Sequence, residues 1–510
     1  MRILGLSHYS HDASVCVIDD GVVTFATHSE RYSKHKNDAF LSRELLKEAL
    51  DGKKPDVIAY YELNWLKRIR QFFSKNYNDA MAKGPHWYLH QIMPELKGIP
   101  IKSYPHHLTH AAAGTLTSDF DECAVVCIDS IGEYNTATIW HWDKNKLKIK
   151  HNVNYPNSLG LFYTAFTHHI GLKPLEDEYV LMGMAAYGEP IYKTILDIDI
   201  FKDEDCTNGA TCLNTKVNLV KGVPNTYLQR DHLEKDEWGQ TARDYDIAAS
   251  VQAVAEERIS KYVEYAKELT GSDNLVFMGG CALNCVANSN LYEHFKNIHI
   301  MPNPGDAGSS LGAAAWHNYL HTGNKIDFTP YLGYNIEGKY PVKKGLKSLL
   351  AGEIFGIANG KAEFGPRALG NRSLCADPRG SAIKDAVNKI KRRQEFRPFA
   401  PIILEEYVHE YFEMPGGITN APYMQYTAKC LKPDEFPAIV HADGTSRVQT
   451  VNKQQHPELY ELMTQFYNET GCPMILNTSL NVKGMPIVND ERDAKIFQDK
   501  YNVPVHTKDD

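Results

Sequence analysis

Apolar and polar positions along the chain predict a strand-rich opening. Ile3 to Leu6 and Ala13 to Ile18 read as strands, and Asp19-Asp20-Gly21 reads as a hairpin turn into Val22 to Ala26, because Asp-Gly supplies the positive-φ positions such a turn needs. A similar unit returns about 120 residues later as Ala124 to Ile128, the turn Asp129 to Glu133, Ala137 to Trp142 and Leu147 to Lys150. The repetition predicts two related halves facing each other across a cleft. Leu41 to Asp51 and Trp65 to Lys75 have helical spacing, the latter basic and amphipathic, and Val57 to Tyr60 reads as a strand. Apolar residues at 247, 251, 254, 255, 259, 262, 263, 266 and 269 predict a long helix before the buried strand Leu275 to Met278. That strand ends in Gly279-Gly280, and Ala282 to Phe295 reads as a helix after it. Residues 200–240 are polar and irregular, an insertion or surface loop, and Thr329 to Gly333 is the expected domain boundary.

Composition narrows the class. The 510 residues are 43% hydrophobic and 23% charged, which excludes disorder and fibrous repeats and leaves room for several domains. No run approaches 18 apolar residues and the start lacks a signal-peptide core, so the expectation is a cytoplasmic chain with no membrane partner. Ten scattered cysteines read as buried thiols rather than a disulfide framework. A net charge of −8 does not favour a nucleic-acid partner, although Lys67, Arg68, Arg70 and the 200–240 stretch would be its contacts.

Candidate chemistry lies in a few constellations. His106 and His110 are spaced i, i+4, so both imidazoles reach one ion if the segment is helical. Asp129 at a strand end and Asp306 in a turn before a small-residue helix are candidate carboxylates beside them; two His with one or two carboxylates suit Fe(II), Mn or Zn alike. His11, in the first strand turn, is a candidate base for an acceptor hydroxyl. Between Lys361 and Arg397 there are ten Lys/Arg against four acids. Phe364-Gly365-Pro366-Arg367 and Phe396-Arg397-Pro398-Phe399 set arginines on Pro-stiffened turns, an arrangement suited to phosphate; a nucleic-acid groove is the rival reading. Asp443 to Arg447 and Asn477 to Asn481 are small-donor turns that would complete such a pocket.

Nine motifs in order resemble the NodU/TobZ/CmcH family of O-carbamoyltransferases. They are Ser10-His11-Asp12-Ala13-Ser14, the run His106 to Ala112, Pro156 to Tyr163, Met182 to Gly188, Gly279 to Asn284, Gly305 to Gly308, Phe364 to Ser373, Arg397 to Pro401 and Asn477 to Asn481. The resemblance implies an α/β chain in two domains. Residues 1–335 would be TsaD-like, of the actin/sugar-kinase/heat-shock ATPase type, and 336–510 an α+β YrdC-like domain. The second would form carbamoyl-adenylate from carbamoyl phosphate and ATP; the first would transfer the carbamoyl group to a hydroxyl beside bound iron or another divalent transition metal. Mg2+ is a further candidate cofactor, and a homodimer is compatible. By motif, His106, His110, Asp129 and Asp306 would hold the metal and His11 would be the base. Arg367, Arg372, Lys391, Arg393, Arg397, Arg447, Ser479 and Asn481 would grip carbamoyl phosphate and ATP, while Gly279, Gly280 and Asn284 would lie near the adenylate. Val180 stands where the family pattern has lysine.

The expected acceptor is a small hydroxylated molecule, a sugar or other metabolite, or a hydroxymethyl nucleobase. Two other readings share these residues: a threonylcarbamoyl-type tRNA-modifying enzyme and a non-catalytic nucleotide-binding sensor.

Overall fold

The computed structural model of the protein describes residues 1–201, 219, 222–224, 227–229, 234–380, 382–394, 397 and 399–509. The irregular stretch expected over 200–240 lies largely outside these, as do Phe396 and Pro398 of the second arginine turn. The fold is mixed α/β.

The strands are Arg2–Ser7, Ser14–Asp19, Val22–His28, Val57–Tyr60 and Ile101–Ser103 (β1 to β5), then Cys123–Ile128, Asn135–Asp143, Lys146–Asn154, Asn274–Met278 and Asn297–His299 (β6 to β10). Ten more follow: Tyr331–Ile336, Phe355–Ala358, Gly360–Glu363, Arg372–Ala376, Ala400–Leu404, Phe412–Glu413, Tyr426–Cys430, Thr445–Val451, Met474–Ser479 and Val505–His506 (β11 to β20). Sheet orders are β3-β2-β1-β4-β5, β10-β9-β6-β7-β8, β11-β13 and β16-β17-β18-β15-β19-β14-β12-β20. Read from its other edge, the second sheet runs β8-β7-β6-β9-β10, the connectivity of the first.

Two compact units divide the chain. The first comprises Met1–Leu4, His8–Pro55 and Asp327–Asp510; the second comprises Gly5–Ser7 and Asp56–Ile326. In the first, the hairpin β2–β3 pairs Ser14 with His28 and Asp19 with Val22 across the expected turn. Its far end is seated on the C-terminal residues: the His28 ring meets Phe364 at 5.7 Å, Arg31 Nη2 donates to the Gly365 carbonyl at 3.2 Å, and Lys34 pairs with Asp493. Thr329 to Gly333 is no simple linker, because Tyr331 begins β11, which pairs antiparallel with β13.

In the second unit every residue of β6 is buried. The helix Ala242–Thr270 starts at a capping box between Thr241 and Asp244 and ends at Gly271 in the left-handed region, as its periodicity predicts. The helix His106–Thr117 packs on Ser309–Thr322 so closely that a Cβ at Gly312 would lie 1.9 Å from the Thr109 carbonyl oxygen. This contact brings the two helix starts together. The predicted helix over Ala282 to Phe295 is broken into a 3-10 turn, the helix Cys285–Asn290 and a second 3-10 turn. The break has a local cause: the Asn284 side chain accepts the Ala287 N–H and caps a new helix there. No helix among the described residues is long and apolar enough to cross a membrane. The described cysteines are unpaired and all but Cys281 are buried, as expected.

Candidate metal centre and anion site

Four side chains expected to share an ion converge in the second unit. The helix beginning at His106 places His106 and His110 one turn apart on one face, β6 ends next to Asp129, and a 3-10 turn beginning at Asp306 leads into the packed helix. His106 Nε2 lies 3.0 Å from Asp129 Oδ2 and 3.3 Å from Asp306 Oδ1; His110 Nε2 lies 3.4 Å and 3.3 Å from the same oxygens. The two Nε2 atoms are 3.0 Å apart. All four residues are buried, with their donor atoms within 4.8 Å of one another.

The donor set fits a divalent cation. Ligands held about 2.1 Å from one ion stand roughly 3.0–3.4 Å from their neighbours, the spacing seen here. Two carboxylates and two imidazoles suit a transition metal of borderline hardness. Burial opposes charge on His106, yet Asp306 and Asp129 together hold its ring well above the ordinary imidazole range. Burial likewise opposes charge on Asp129, but its bonds to His106 and His110 hold it well below the usual carboxylate range. The two carboxylates thus favour positive charge at the imidazoles, a place that a bound cation would take in exchange for protons.

Surrounding groups fix these ligands. Ser309 Oγ lies 3.4 Å from His110 Nδ1, and Ser130 N–H donates to Asp129 Oδ1 at 2.8 Å. The Glu133 carboxylate receives the His106 N–H at 3.0 Å and 3.2 Å and the Leu63 N–H at 2.7 Å, tying the start of the ligand helix to another segment. Sequence reading placed Glu133 only as the end of a turn; a lone loop carboxylate has no periodic signal.

Gly279 and Gly280 lie against this centre. Gly279 has φ +91, and a Cβ there would sit 2.2 Å from the Ile128 carbonyl oxygen, while a Cβ at Gly280 would lie 3.0 Å from Asp129 Oδ1. Asn284 exchanges amide hydrogen bonds with Gln252 at 2.9 Å and 3.1 Å, and Tyr163 Oη donates to Gln252 at 2.8 Å. Val180, at the position of the family lysine, is 2% exposed, a place where an unpaired ammonium would be costly. Lys67 pairs with Glu62 at 2.9 Å, Arg68 donates to the Ala82 carbonyl and Arg70 to the Gly132 carbonyl at 2.7 Å. These three cations are spent inside the protein.

The first unit gathers much of the cationic set. Lys391 Nζ donates to the Ser479 carbonyl, to Ser479 Oγ at 3.1 Å and to Asn481 Oδ1 at 2.6 Å. Among the described residues it forms no ion pair; burial, then Arg393, Arg397 and Lys36, push it well below the usual lysine range. Arg393 stacks on Phe399 at 4.1 Å and donates to Asn388 at 2.8 Å and to the Arg397 carbonyl at 3.2 Å. Lys36, which sequence reading missed, comes from the N-terminal segment and is otherwise held by Glu30 at 3.0 Å. Arg367 is half-buried on its Pro turn, and Arg447 stands half-buried on β18 with a buried Nε that has no hydrogen-bond partner. Such clustered cations, held without a carboxylate partner for Lys391, suit a polyvalent anion.

Arg372 departs from that group. It is fully buried, and its guanidinium donates to the carbonyls of Asn489, Asn359, Gly360, Asn371 and Tyr334 at 2.8–3.2 Å. Every one of these partners is backbone, so the Arg372 guanidinium is engaged in bracing the fold. Glu363, also missed, accepts the N–H groups of Leu369, Asn371 and Arg372 at 2.7–3.2 Å and sets the turn after Arg367.

His11, in the first unit, is about one-third exposed and its Nδ1 lies 3.2 Å from Asp12 Oδ2. Asp12 adopts φ 51, a left-handed conformation in the turn that carries His11. Burial would raise the Asp12 pKa, but His11, His28 and Lys36 hold its carboxyl below the ordinary value.

Comparison with known proteins agrees in both parts of the chain. The family model for the carbamoyltransferase N-terminus matches residues 69–315 and that for the carbamoyltransferase C-terminus matches 346–505. An uncharacterized protein of Synechocystis, sll1178, is 34% identical over 97% of this chain and 93% of its own. The nodulation protein NolNO of Sinorhizobium fredii is 30% identical over 95% and 76%. The 3'-hydroxymethylcephem-O-carbamoyltransferase of Amycolatopsis lactamdurans is 26% identical over 96% and 94%.

Proposed function

The chain belongs to the NodU/CmcH family of carbamoyltransferases, and from that premise we propose that it is an ATP-dependent O-carbamoyltransferase acting on a hydroxyl of a small sugar or metabolite or of a hydroxymethyl nucleobase. The observation that carries the ATP-dependent half is the Lys391 cluster, a buried ammonium held by Ser479 and Asn481 within the repulsive field of Arg393, Arg397 and Lys36. Carbamoyl phosphate and ATP bring the phosphate charge that this cluster would neutralise.

In this reading water cleaves carbamoyl phosphate to carbamate and phosphate, and a carbamate oxygen then attacks the α-phosphorus of ATP, displacing pyrophosphate and leaving carbamoyl-adenylate. Lys391, Arg393, Arg397, Arg367 and Arg447 offset the charge of the phosphates, and Ser479 and Asn481 orient Lys391. The acceptor hydroxyl then attacks the carbamoyl carbon, the carbamate ester forms and AMP leaves. His11 takes the hydroxyl proton, with Asp12 holding its Nδ1 side so that Nε2 is the basic atom. His106, His110, Asp129 and Asp306 would hold Fe(II) or another divalent transition metal, which when bound supplies Lewis acidity. Gly279, Gly280 and Asn284 would lie near the adenylate. The matching connectivity of the two five-stranded sheets supports a TsaD-like arrangement of two related halves, and the match over 346–505 is consistent with a separate activation domain.

The test is mass-resolved product analysis of the purified protein with ATP, carbamoyl phosphate and Fe(II), without acceptor and then with a panel of sugars and hydroxymethyl nucleosides. Pyrophosphate and carbamoyl-adenylate are expected without acceptor, and one added carbamoyl unit on a panel member. Absence of both products would overturn the reading in favour of a nucleotide-binding sensor.

A further inference from the structure

The spacing that joins His106 to His110 recurs on the helix packed against them. His317 and His321 stand one turn apart near the end of Ser309–Thr322, with ring centroids 4.3 Å apart and planes tilted by 38°. Each ring is anchored on one side. His317 Nδ1 lies 2.6 Å from Tyr104 Oη, and His321 Nδ1 donates to the His317 carbonyl at 2.8 Å. A carbonyl oxygen can only accept, so this bond fixes the proton of neutral His321 on Nδ1 and leaves the lone pair on Nε2. Tyr104 Oη can donate or accept; when it accepts the His317 Nδ1 proton, the His317 lone pair is on Nε2 as well. Among the described residues these are the only hydrogen bonds either ring makes, so neither Nε2 is engaged by the protein.

An imidazole held through one nitrogen by an oxygen presents the other to a metal ion. Burial, then His321 and Lys102, lower the His317 pKa, which keeps its ring neutral and able to donate its lone pair. The Lys102 charge also repels a cation, whereas the pair lies at the C-terminal end of its helix, where the free carbonyl ends attract one. His321 is exposed, so an ion reaches the pair from solvent. Among the described residues no carboxylate pairs with either ring, unlike the centre at His106. Two neutral nitrogens without a carboxylate select a late first-row ion over Mg2+ or Mn2+. Ser309, whose Oγ lies 3.4 Å from His110, is about 12 Å along the helix from His317 and about 18 Å from His321 at 1.5 Å per residue, so the two places do not share one ion.

We propose that His317 and His321 form a second, exchangeable transition-metal site that takes Cu(II), Ni(II) or Zn(II) through their two Nε2 atoms, with water completing the coordination of the ion. Neither residue belongs to the machinery assigned above, and the site does not depend on the carbamoyl-transfer reading. Two protein ligands hold an ion less tightly than four, so this one exchanges with the medium while the centre at His106 keeps its own. An ion joining positions i and i+4 also staples the last turns of the helix, and because it binds the folded chain it raises stability.

The experiment uses the full chain with its resident metal and the variants His321→Ala, His317→Ala and Tyr104→Phe, with circular dichroism to check folding. Ni(II) is supplied by equilibrium dialysis, and elemental analysis reads nickel and the resident metal together. The expected result is one further nickel per chain at free Ni(II) up to about 100 µM, with the resident metal retained and the thermal midpoint raised. His321→Ala and His317→Ala each weaken nickel binding at least about tenfold, and Tyr104→Phe weakens it about tenfold by removing the support of His317. His110→Ala, altered at the first centre, still takes up the nickel. The proposal is overturned if the parent binds no further nickel over that range, or if His321→Ala binds it like the parent; because His321 is exposed, its variant decides the matter even where His317→Ala fails to fold. It is also overturned if His110→Ala abolishes the uptake, which would put the nickel in the first centre.

Discussion

His106 Nε2 and His110 Nε2 stand 3.0 Å apart, each also within 3.4 Å of an Asp129 oxygen and an Asp306 oxygen. Two ring nitrogens at that distance, flanked by two carboxylates, are an arrangement that a shared cation stabilises. Replacing His110 with Ala is expected to reduce bound transition metal from about one per chain to under one-tenth, and to slow carbamoyl transfer at least about 100-fold. Elemental analysis beside single-turnover product formation checks this. Full metal retention in the variant would remove His110 from the ligand set.

The two half-reactions are expected to separate genetically. His11→Asn leaves pyrophosphate release within about threefold and lowers transfer at least about 100-fold, as loss of a general base does. Lys391→Ala gives the opposite order, abolishing pyrophosphate release while metal content stays normal. A rapid-quench assay that resolves adenylate from carbamate ester reads both.

Arg372 and Arg447 carry the same charge and differ in consequence. Arg372→Met removes five hydrogen bonds to backbone carbonyls, so a stability loss of about 3 kcal/mol or more is expected from several lost bonds of about 1 kcal/mol each. Arg447→Met is expected to cost little stability and to raise the KM for carbamoyl phosphate or ATP about tenfold or more. Denaturant melts and steady-state kinetics on the pair decide it; an unchanged melt for Arg372→Met would sink the bracing role.

Acid sensitivity follows from buried histidines. Burial lowers His28 and His299 to about 4, below the ordinary imidazole value of 6.5. Between those values the unfolded chain binds protons that the folded chain refuses, so stability falls as pH drops from about 6.5 toward 4 and levels off below. His299→Gln, which keeps a partner for Thr117, is expected to flatten that slope. Urea midpoints from pH 7 to pH 4.5 measure it, and an identical slope in the variant would exclude His299 as a source.

Much of this molecule is written in local pattern. The Asp-Gly hairpin, the helix from Ala242 and the i, i+4 pair His106/His110 need only residue type and spacing, and the structure has each of them. Other features depend on where the chain returns to itself. Arg372 and Arg447 look alike in sequence because a side chain's type does not state its burial. Lys67, Arg68 and Arg70 read as contacts for a nucleic-acid partner, but the nearby Glu62 carboxylate and the backbone carbonyls of Ala82 and Gly132 engage them. Glu133, Glu363 and Lys36 follow no periodic pattern, and their roles appear only once the segments they join are in contact.

The discontinuity of the first unit has a consequence for synthesis on the ribosome. Residues 8–55 emerge early, while the segment on which His28, Arg31 and Lys34 are seated begins at Asp327. At about 5–20 residues per second the intervening chain takes roughly a quarter of a minute to a minute to appear. Through that interval the nascent hairpin and the buried guanidinium of Arg31 have no home, so chaperone demand and heterologous expression yield should respond to translation rate across the second unit more than within the last 180 or so residues.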